Sequence, residues 1–438
     1  MSAPRRIFYG GIIAHTTGIK KDDFHLLTNT AIGVDNNGKI AFVDNATKIE
    51  DAITKYRFQD AEIVHLKDHQ LLIPGLIDTH THAPQWENRG IGMDLGLLQW
   101  IGKYTRPTEI TFSSIEKADR VYDVVVQDTL RNGSTTVCYF ATIHPESTKI
   151  LADKCLKYGQ RAFVGQPCLD RSSLPNYCNA SADEAVEVTR QVIEHIRQRD
   201  PSFSLVRPIV TPGFAPVLSA ECAKKLAALA QKEGLPMQTH LSENLEEHYT
   251  DIQRQHGVLT SRTILGHCIH LSDDERALIA ESGAGVSHCP QSNINLGSGE
   301  CRVRWLLDAG IKVGLGCDCS GGHSTSILDN LRRASDVSRS LVSRNGPRAR
   351  LELHELFYMA TLGGAHVCGI ENKTGSFEIG KEFDAVILDG SVGDSGHIKL
   401  KAQGEDVEDI FQKILLCSDD RNVRQVYVQG KLCINKSI

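Results

Sequence analysis

From residue 76 to about residue 318, strand-like and helix-like segments alternate, and this alternation limits the fold more than any other feature of the chain. The strand-like segments are GLIDTHTH, STTVCYFA, RAFVGQPC, SLVRPIVT, PMQTHLSE, RTILGHC, AGVSHC and IKVGLGCD. Such largely apolar runs suit parallel strands covered on both faces. Between them lie helical patterns. In SSIEKADRVYDVVVQDTLRNG, Ile115, Ala118, Tyr122 and Val125 keep helical spacing, and Gly133 suits the exit. SDDE sets Ser272 and Glu275 at capping-box spacing. The order and number of segments predict an α/β fold, a (β/α)8 barrel. A doubly wound open sheet is the competing arrangement.

The polar residues separate the two. His80 and His82 stand at the end of the first strand, His240 on the fifth, His267 on the sixth, His288 on the seventh and Asp318 on the eighth. In a barrel all these ends face one mouth, where active sites are built; in an open sheet they would spread along an edge. The barrel is therefore expected. The flanks differ from it. AIGVDNNGKIAFVD reads as a hairpin, and GSFEIGKEFDAVILDG and VRQVYVQGKLCI are β-like again. Residues 1–73 and 375–438 are expected to form one small β-sandwich domain from both chain ends, clasping a catalytic barrel at 74–374.

The chemistry follows from the mouth. His80 and His82 are two residues apart and share a strand face, so their imidazoles can converge on a cation. A solvated strand end would look the same in that stretch alone. With His240 and Asp318 the set becomes three imidazoles and a carboxylate. That donor set can hold one Zn²⁺, or iron, and still leave a position for a water whose pKa falls towards about 7. A second metal would need a bridging group, and SLVRPIVTP offers neither lysine nor carboxylate on the fourth strand. Glu243, three residues past His240, is placed to carry a proton, and His267 to polarise the water or hold the substrate. His288 reads equally as structural or catalytic.

Composition closes off other classes. A formal charge of −6, from 48 Lys+Arg against 54 Asp+Glu, argues against nucleic acid or an anionic membrane as partner. No apolar run is long enough to span a bilayer, and the start MSAPRRIFYGGIIAH lacks the apolar core of a secretory segment. Thirteen cysteines without a CxxC pair fit a reducing compartment, so a cytoplasmic location is expected. Cys317 and Cys319, flanking Asp318, read as buried thiols rather than ligands.

PGLIDTHTHAPQ, HLSEN, GHC, SHCPQSN and GLGCDCSGG together resemble the amidohydrolase superfamily, in its mononuclear deaminase branch. LLQWIGKYT, NGSTTVCYFATIH, KYGQRAFVGQPCLD, VRPIVTPGF, ATLGGAH and DDRNVRQVYVQGK are similar to the guanine deaminase family, over nearly the whole chain. The resemblance implies zinc-dependent conversion of guanine to xanthine and ammonia by a cytosolic homodimer. His80, His82, His240 and Asp318 would hold the metal; Gln85 would hydrogen-bond the purine and Phe214 pack on its ring. Glu243 would be the proton shuttle, Asp318 would take a proton from the attacking water, and His267 would orient it. Two departures stand out. Where the family reads Arg-Phe after VTP, this chain has Gly213-Phe214, and where it reads YTFP this chain has YTRP. Arg106, on the long loop after the first strand, is expected to supply the missing guanidinium. A pocket for a different amino-heterocycle is the other outcome that Gly213 allows.

Overall fold

The computed structural model describes residues 3–171, 177–244, 250–392, 396 and 404–436. Eight strands run parallel around a barrel: Leu76–His82, Ser134–Phe140, Arg161–Gly165, Val206–Pro208, Met237–Leu241, Thr263–His267, Gly285–His288 and Lys312–Leu315. The first four pair in sequence order, and so do the last four. A bridge between Val210 and Met237 joins the halves on one side. On the other, the amide of Asp318 donates to the carbonyl of His80 (2.9 Å) and that of His82 to Cys319 (3.1 Å). The eighth strand thus meets the first at the residues that carry the chemistry.

The helices begin and end on local signals. Ser114 accepts from the amide of Lys117 and opens the helix Ile115–Arg131, which buries Ala118, Tyr122 and Val125. Ile115 keeps the spacing yet is 44% exposed, because the first turn of the helix overhangs the core. The capping box forms as expected: Ser272 and Glu275 satisfy each other's backbone amides ahead of Asp273–Ser282. The segment after the first strand is not the open loop expected. It winds into short turns at Ala83–Asn88 and Leu97–Trp100, a π-helical stretch at Ile101–Thr105 and an α-helical turn at Arg106–Ile110. Trp100, Thr105 and Glu109 are buried there, which is burial enough to order a segment with little periodicity of its own.

Both chain ends build one sheet. Its order is Lys431–Asn435, Val423–Val428, Ala385–Asp389, Glu62–Pro74, Arg6–Thr16, Thr30–Val34 and Ile40–Asn45, with Phe24–Leu27 paired to Arg6–Thr16. The expected hairpin pairs Thr30–Val34 with Ile40–Asn45, and Gly38 supplies the positive φ of its turn. Period-two alternation splits the strands between two cores. Ile13, Leu72 and Ile387 pack inward with Phe8, Phe377 and Phe383, whereas Ile12, Leu71, Ile73 and Leu388 join the core of the barrel. Arg161, at the base of the third barrel strand, adds a buried clasp. Its guanidinium donates to Asp384 (3.0 and 3.3 Å), to Glu382 (2.5 Å) and to the carbonyl of Ser204 (3.0 Å). Among the described residues no helix is long and apolar enough to cross a membrane.

Candidate active site

The strand ends converge as the topology requires. The rings of His80 and His82 lie 5.1 Å apart between centroids, and His240 sits 4.8 Å from His80 and 5.1 Å from His82. The pairing register of the first strand shifts between Asp78 and Thr81, an irregularity of the kind that re-aims side chains at active sites. His82 Nε2 and His240 Nε2 are 3.1 Å apart. Asp318 Oδ1 is 3.3 Å from His80 Nε2 and 3.4 Å from His82 Nε2. His267 faces the same point, its ring 5.2 Å from that of His80.

Room for these rings comes from what is absent around them. A Cβ on Gly266 would stand 3.0 Å from His80 Cε1, so a side chain there on the sixth strand, across the barrel, would press on the imidazole. Phe140, at the end of the second strand, packs against His80, His82 and His240 at 4.7–4.9 Å between ring centroids. Sequence reasoning missed this residue, although STTVCYFA placed an aromatic at a strand end beside the histidines. The backbone is unusual here as well: Ser242, His267, Cys268 and Asp318 all have φ between +43° and +70°, the left-handed region that non-glycine residues rarely enter. Such strain collects where function fixes a geometry.

Electrostatics explains what the cluster is built to hold. Burial lowers the pKa of His80, His82 (to about 3) and His240, so all three rings are neutral near pH 7. Burial works to raise Asp318, but the facing imidazoles of His80, His267 and His82 hold it well below the usual carboxylate range. Neutral nitrogens and one carboxylate, with donor atoms within 4.8 Å of one another, form two overlapping sets: His80, His82 and His240, and His80, His267 and Asp318. His80 Nε2 is buried without a well-formed hydrogen bond. A divalent cation fits this arrangement, because lone pairs pointed at one another need a positive charge between them. A His/Asp metal site is therefore present.

The other expected residues fall around it. Glu243 is buried, with Oε2 3.5 Å from His267 Nε2. Asn293 Oδ1 lies 2.9 Å from His267 Nδ1 and fixes the ring from behind, a partner not singled out in the sequence although SHCPQSN contains it. One cavity is lined by His82, Gln85, Arg106, Phe214, Glu243 and Asp318. Gln85 donates from Nε2 to Glu109 Oε1 (2.9 Å) and accepts from the amide of Ser320 (3.3 Å). Gly213 stands apart: it lines a separate groove with Ala215 and Pro216. His288 is buried and lines a cavity of about 190 Å³ with Cys301 and Trp305, outside the mouth. The strand alternation accounts for this, since Ser287 reaches Thr79 in the barrel interior (2.5 Å) and its neighbour must face away. Cys317 and Cys319 are buried thiols, as expected.

Comparison with known proteins agrees with this geometry. Residues 71–433 match the amidohydrolase family. The chain is 42% identical over 451 residues to a probable guanine deaminase of Schizosaccharomyces pombe, covering 97% of this chain and 83% of that one. It is 38% identical over 443 residues to the guanine deaminase of Homo sapiens, covering 98% and 96%. Among solved structures it is similar to a guanine deaminase from C. acetobutylicum with bound guanine in the active site. That match has a TM-score of 0.87 and 33% identity, and covers 98% of this chain and 99% of the other. Fold, metal site and sequence thus agree that the chain belongs to the amidohydrolase family, in its guanine deaminase group.

Proposed function

We propose that this chain catalyses the hydrolytic deamination of guanine to xanthine and ammonia. The observation that carries the reading is one cavity bringing Gln85, Phe214 and Glu243 against the His80–His82–His240–Asp318 cluster. Those four residues would hold one cation per chain. Zinc is the reading for it, as the three-imidazole, one-carboxylate set suits that ion, and iron is the alternative. When bound, the ion supplies a water activated for attack near neutral pH.

The chain's own groups move the protons. Gln85 holds an edge of the purine and Phe214 covers its ring, presenting C2 to the water. As the water oxygen bonds to C2, Asp318 accepts one of its protons and Glu243, entering the cycle as the carboxylic acid, gives its proton to N3. His267, fixed by Asn293, stays 3.5 Å from Glu243 and orients the attack. Collapse returns the hydroxyl proton to Glu243, the bond from C2 to the amine breaks, and ammonia leaves with the proton held by Asp318. A non-catalytic barrel would have no reason to keep this whole set. Gly213 favours a second reading, a related hydrolase acting on another aminopurine, a pyrimidine or a triazine.

The test is ammonia release by the purified, zinc-loaded protein, with guanine beside adenine, cytosine and 8-azaguanine and Glu243→Ala as the blank. Turnover of guanine that depends on Glu243 supports the proposal. Turnover of another ring alone moves the assignment to the second reading. We further infer a homodimer, as in the family the chain resembles, and a cytoplasmic location, supported by thirteen free thiols. Sedimentation and fractionation, respectively, check these.

A further inference from the structure

We propose that Arg106 is the specificity-determining donor to the ring carbonyl of the substrate, and that Glu109 is the positioning residue that holds Arg106 and Gln85 together as one recognition edge. This rests on the guanine reading above and deepens it.

Position 213 has no room for a side chain. A Cβ built on Gly213 would stand 2.7 Å from the carbonyl of Cys168 and 3.0 Å from Val217 Cγ2. The backbone is pinned there, since the Gly213 amide donates to that same carbonyl (2.9 Å). No side chain fits without moving the chain, so a guanidinium cannot come from this side. Across the sequence, Arg106 lines the site cavity. It follows directly on the π-helical stretch Ile101–Thr105, a local widening that turns the next residues inward.

Glu109 makes the arrangement specific. It is 3% exposed, and its two oxygens serve two residues: Oε2 accepts from Arg106 Nη1 (2.8 Å) and Oε1 from Gln85 Nε2 (2.9 Å). The guanidinium also lies over the ring of Tyr177, 5.2 Å from its centroid. Burial works against the charge of Arg106, but Glu109 and, after it, Tyr177 outweigh burial and raise the pKa, so the cation persists inside the cavity. A guanidinium carries five N–H donors, and Glu109 cannot accept them all. Gln85, with its carbonyl on the Ser320 amide and its amine on Glu109, is fixed in orientation. Buried ion pairs contribute little net stability compared with apolar packing, so a pair kept at a cavity wall points to selectivity. A site built to hydrogen-bond a substrate oxygen discriminates strongly against an analogue that lacks it.

The experiment compares guanine with 2-aminopurine, which is guanine without the carbonyl oxygen, as substrate or as competitive inhibitor. Each is measured with the parent, Arg106→Ala, Arg106→Lys, Glu109→Ala, Glu109→Asp and Glu109→Gln, and metal content per chain serves as the check on folding. For Arg106→Ala, kcat/KM on guanine should fall about 10–200-fold, chiefly through KM, while 2-aminopurine changes by less than about threefold. Arg106→Lys should recover part of the preference. Glu109→Ala and Glu109→Gln should lose the same selectivity at normal metal content, and Glu109→Asp should restore part of it. If Arg106→Ala keeps the guanine to 2-aminopurine ratio within twofold of the parent, Arg106 is not the donor. If the Glu109 variants lose metal or kcat without losing selectivity, the carboxylate is merely structural and the positioning role is overturned. A parent that binds and turns over neither purine would instead overturn the underlying guanine reading.

Discussion

Replacing Arg161 by methionine should separate the small β-domain from the barrel energetically. The guanidinium is buried, and so is Asp384 at 2% exposure; Glu382, Ser204 and the amide of Gln429 complete the network. Burial opposes the charge on Arg161, yet the two carboxylates outweigh it and raise its pKa. Removing one partner of such a pair leaves a buried charge uncompensated and costs about 3–5 kcal/mol. Unfolding entropy is about 2.1 cal/mol/K per residue, or about 0.9 kcal/mol/K for a chain of 438 residues. If the chain melts as one unit, Tm should fall by about 3–5 °C. If the β-domain melts alone, and spans the expected residues 1–73 and 375–438, about 140 in all, the same loss lowers its own transition by about 10–17 °C. The assay separates the cases, because Trp86, Trp100 and Trp305 all lie outside the β-strands of that domain. Tryptophan fluorescence follows the barrel, and calorimetry follows everything. A Tm within 1 °C of the parent by both probes would refute the reasoning, since the clasp would then contribute nothing net.

Three further outcomes follow from particular residues. Gly266→Ala should push the His80 ring by a few tenths of an ångström and weaken metal affinity about 10–100-fold, read by competition with a chelating dye, with unchanged affinity counting against it. Removing the metal with a chelator should abolish ammonia release and lower Tm, and zinc should restore both; a Tm unaffected by chelation would contradict the site. His15 is held neutral, its pKa lowered to about 4 by burial and by His25, with Glu378 opposing and Lys381 adding to the shift. The unfolded chain therefore binds a proton that the native chain does not as pH falls from about 6.5 to 4. Stability should drop through that window, by about 2 kcal/mol at pH 5. His15→Gln should flatten that part of the urea-midpoint profile, and an identical profile would refute the assignment.

The sequence made the barrel and the His/Asp cluster at its mouth legible because both follow from local rules. Strand ends are set by apolar runs, and a histidine two residues from another on a strand needs no tertiary information to share its face. Ser272 and Glu275 were readable for the same reason. Glu109 was not. It acts through Gln85 and Arg106, and its three-residue spacing from Arg106 looks like any surface ion pair until burial is known. Phe140 and Asn293 escaped similarly, because their value lies in which ring they touch. His288 shows the opposite limit: its strand-end position suggested the mouth, but pleating at Ser287 turns it outward. The turn-rich segment after the first strand had too little periodicity to show that it would be wound and buried.

The seam where the eighth strand hydrogen-bonds to the first has a consequence for how the chain is made. His80 and Asp318 are about 240 residues apart, and the backbone contacts that close the barrel join these same two residues. At about 5–20 residues per second, a ribosome exposes the two histidines some tens of seconds before the aspartate that completes the set. During that interval the nascent chain presents only a partial chelator. The full donor set exists only once the last barrel strand has been made, so an ion held by it would tie the earliest strand of the barrel to the latest.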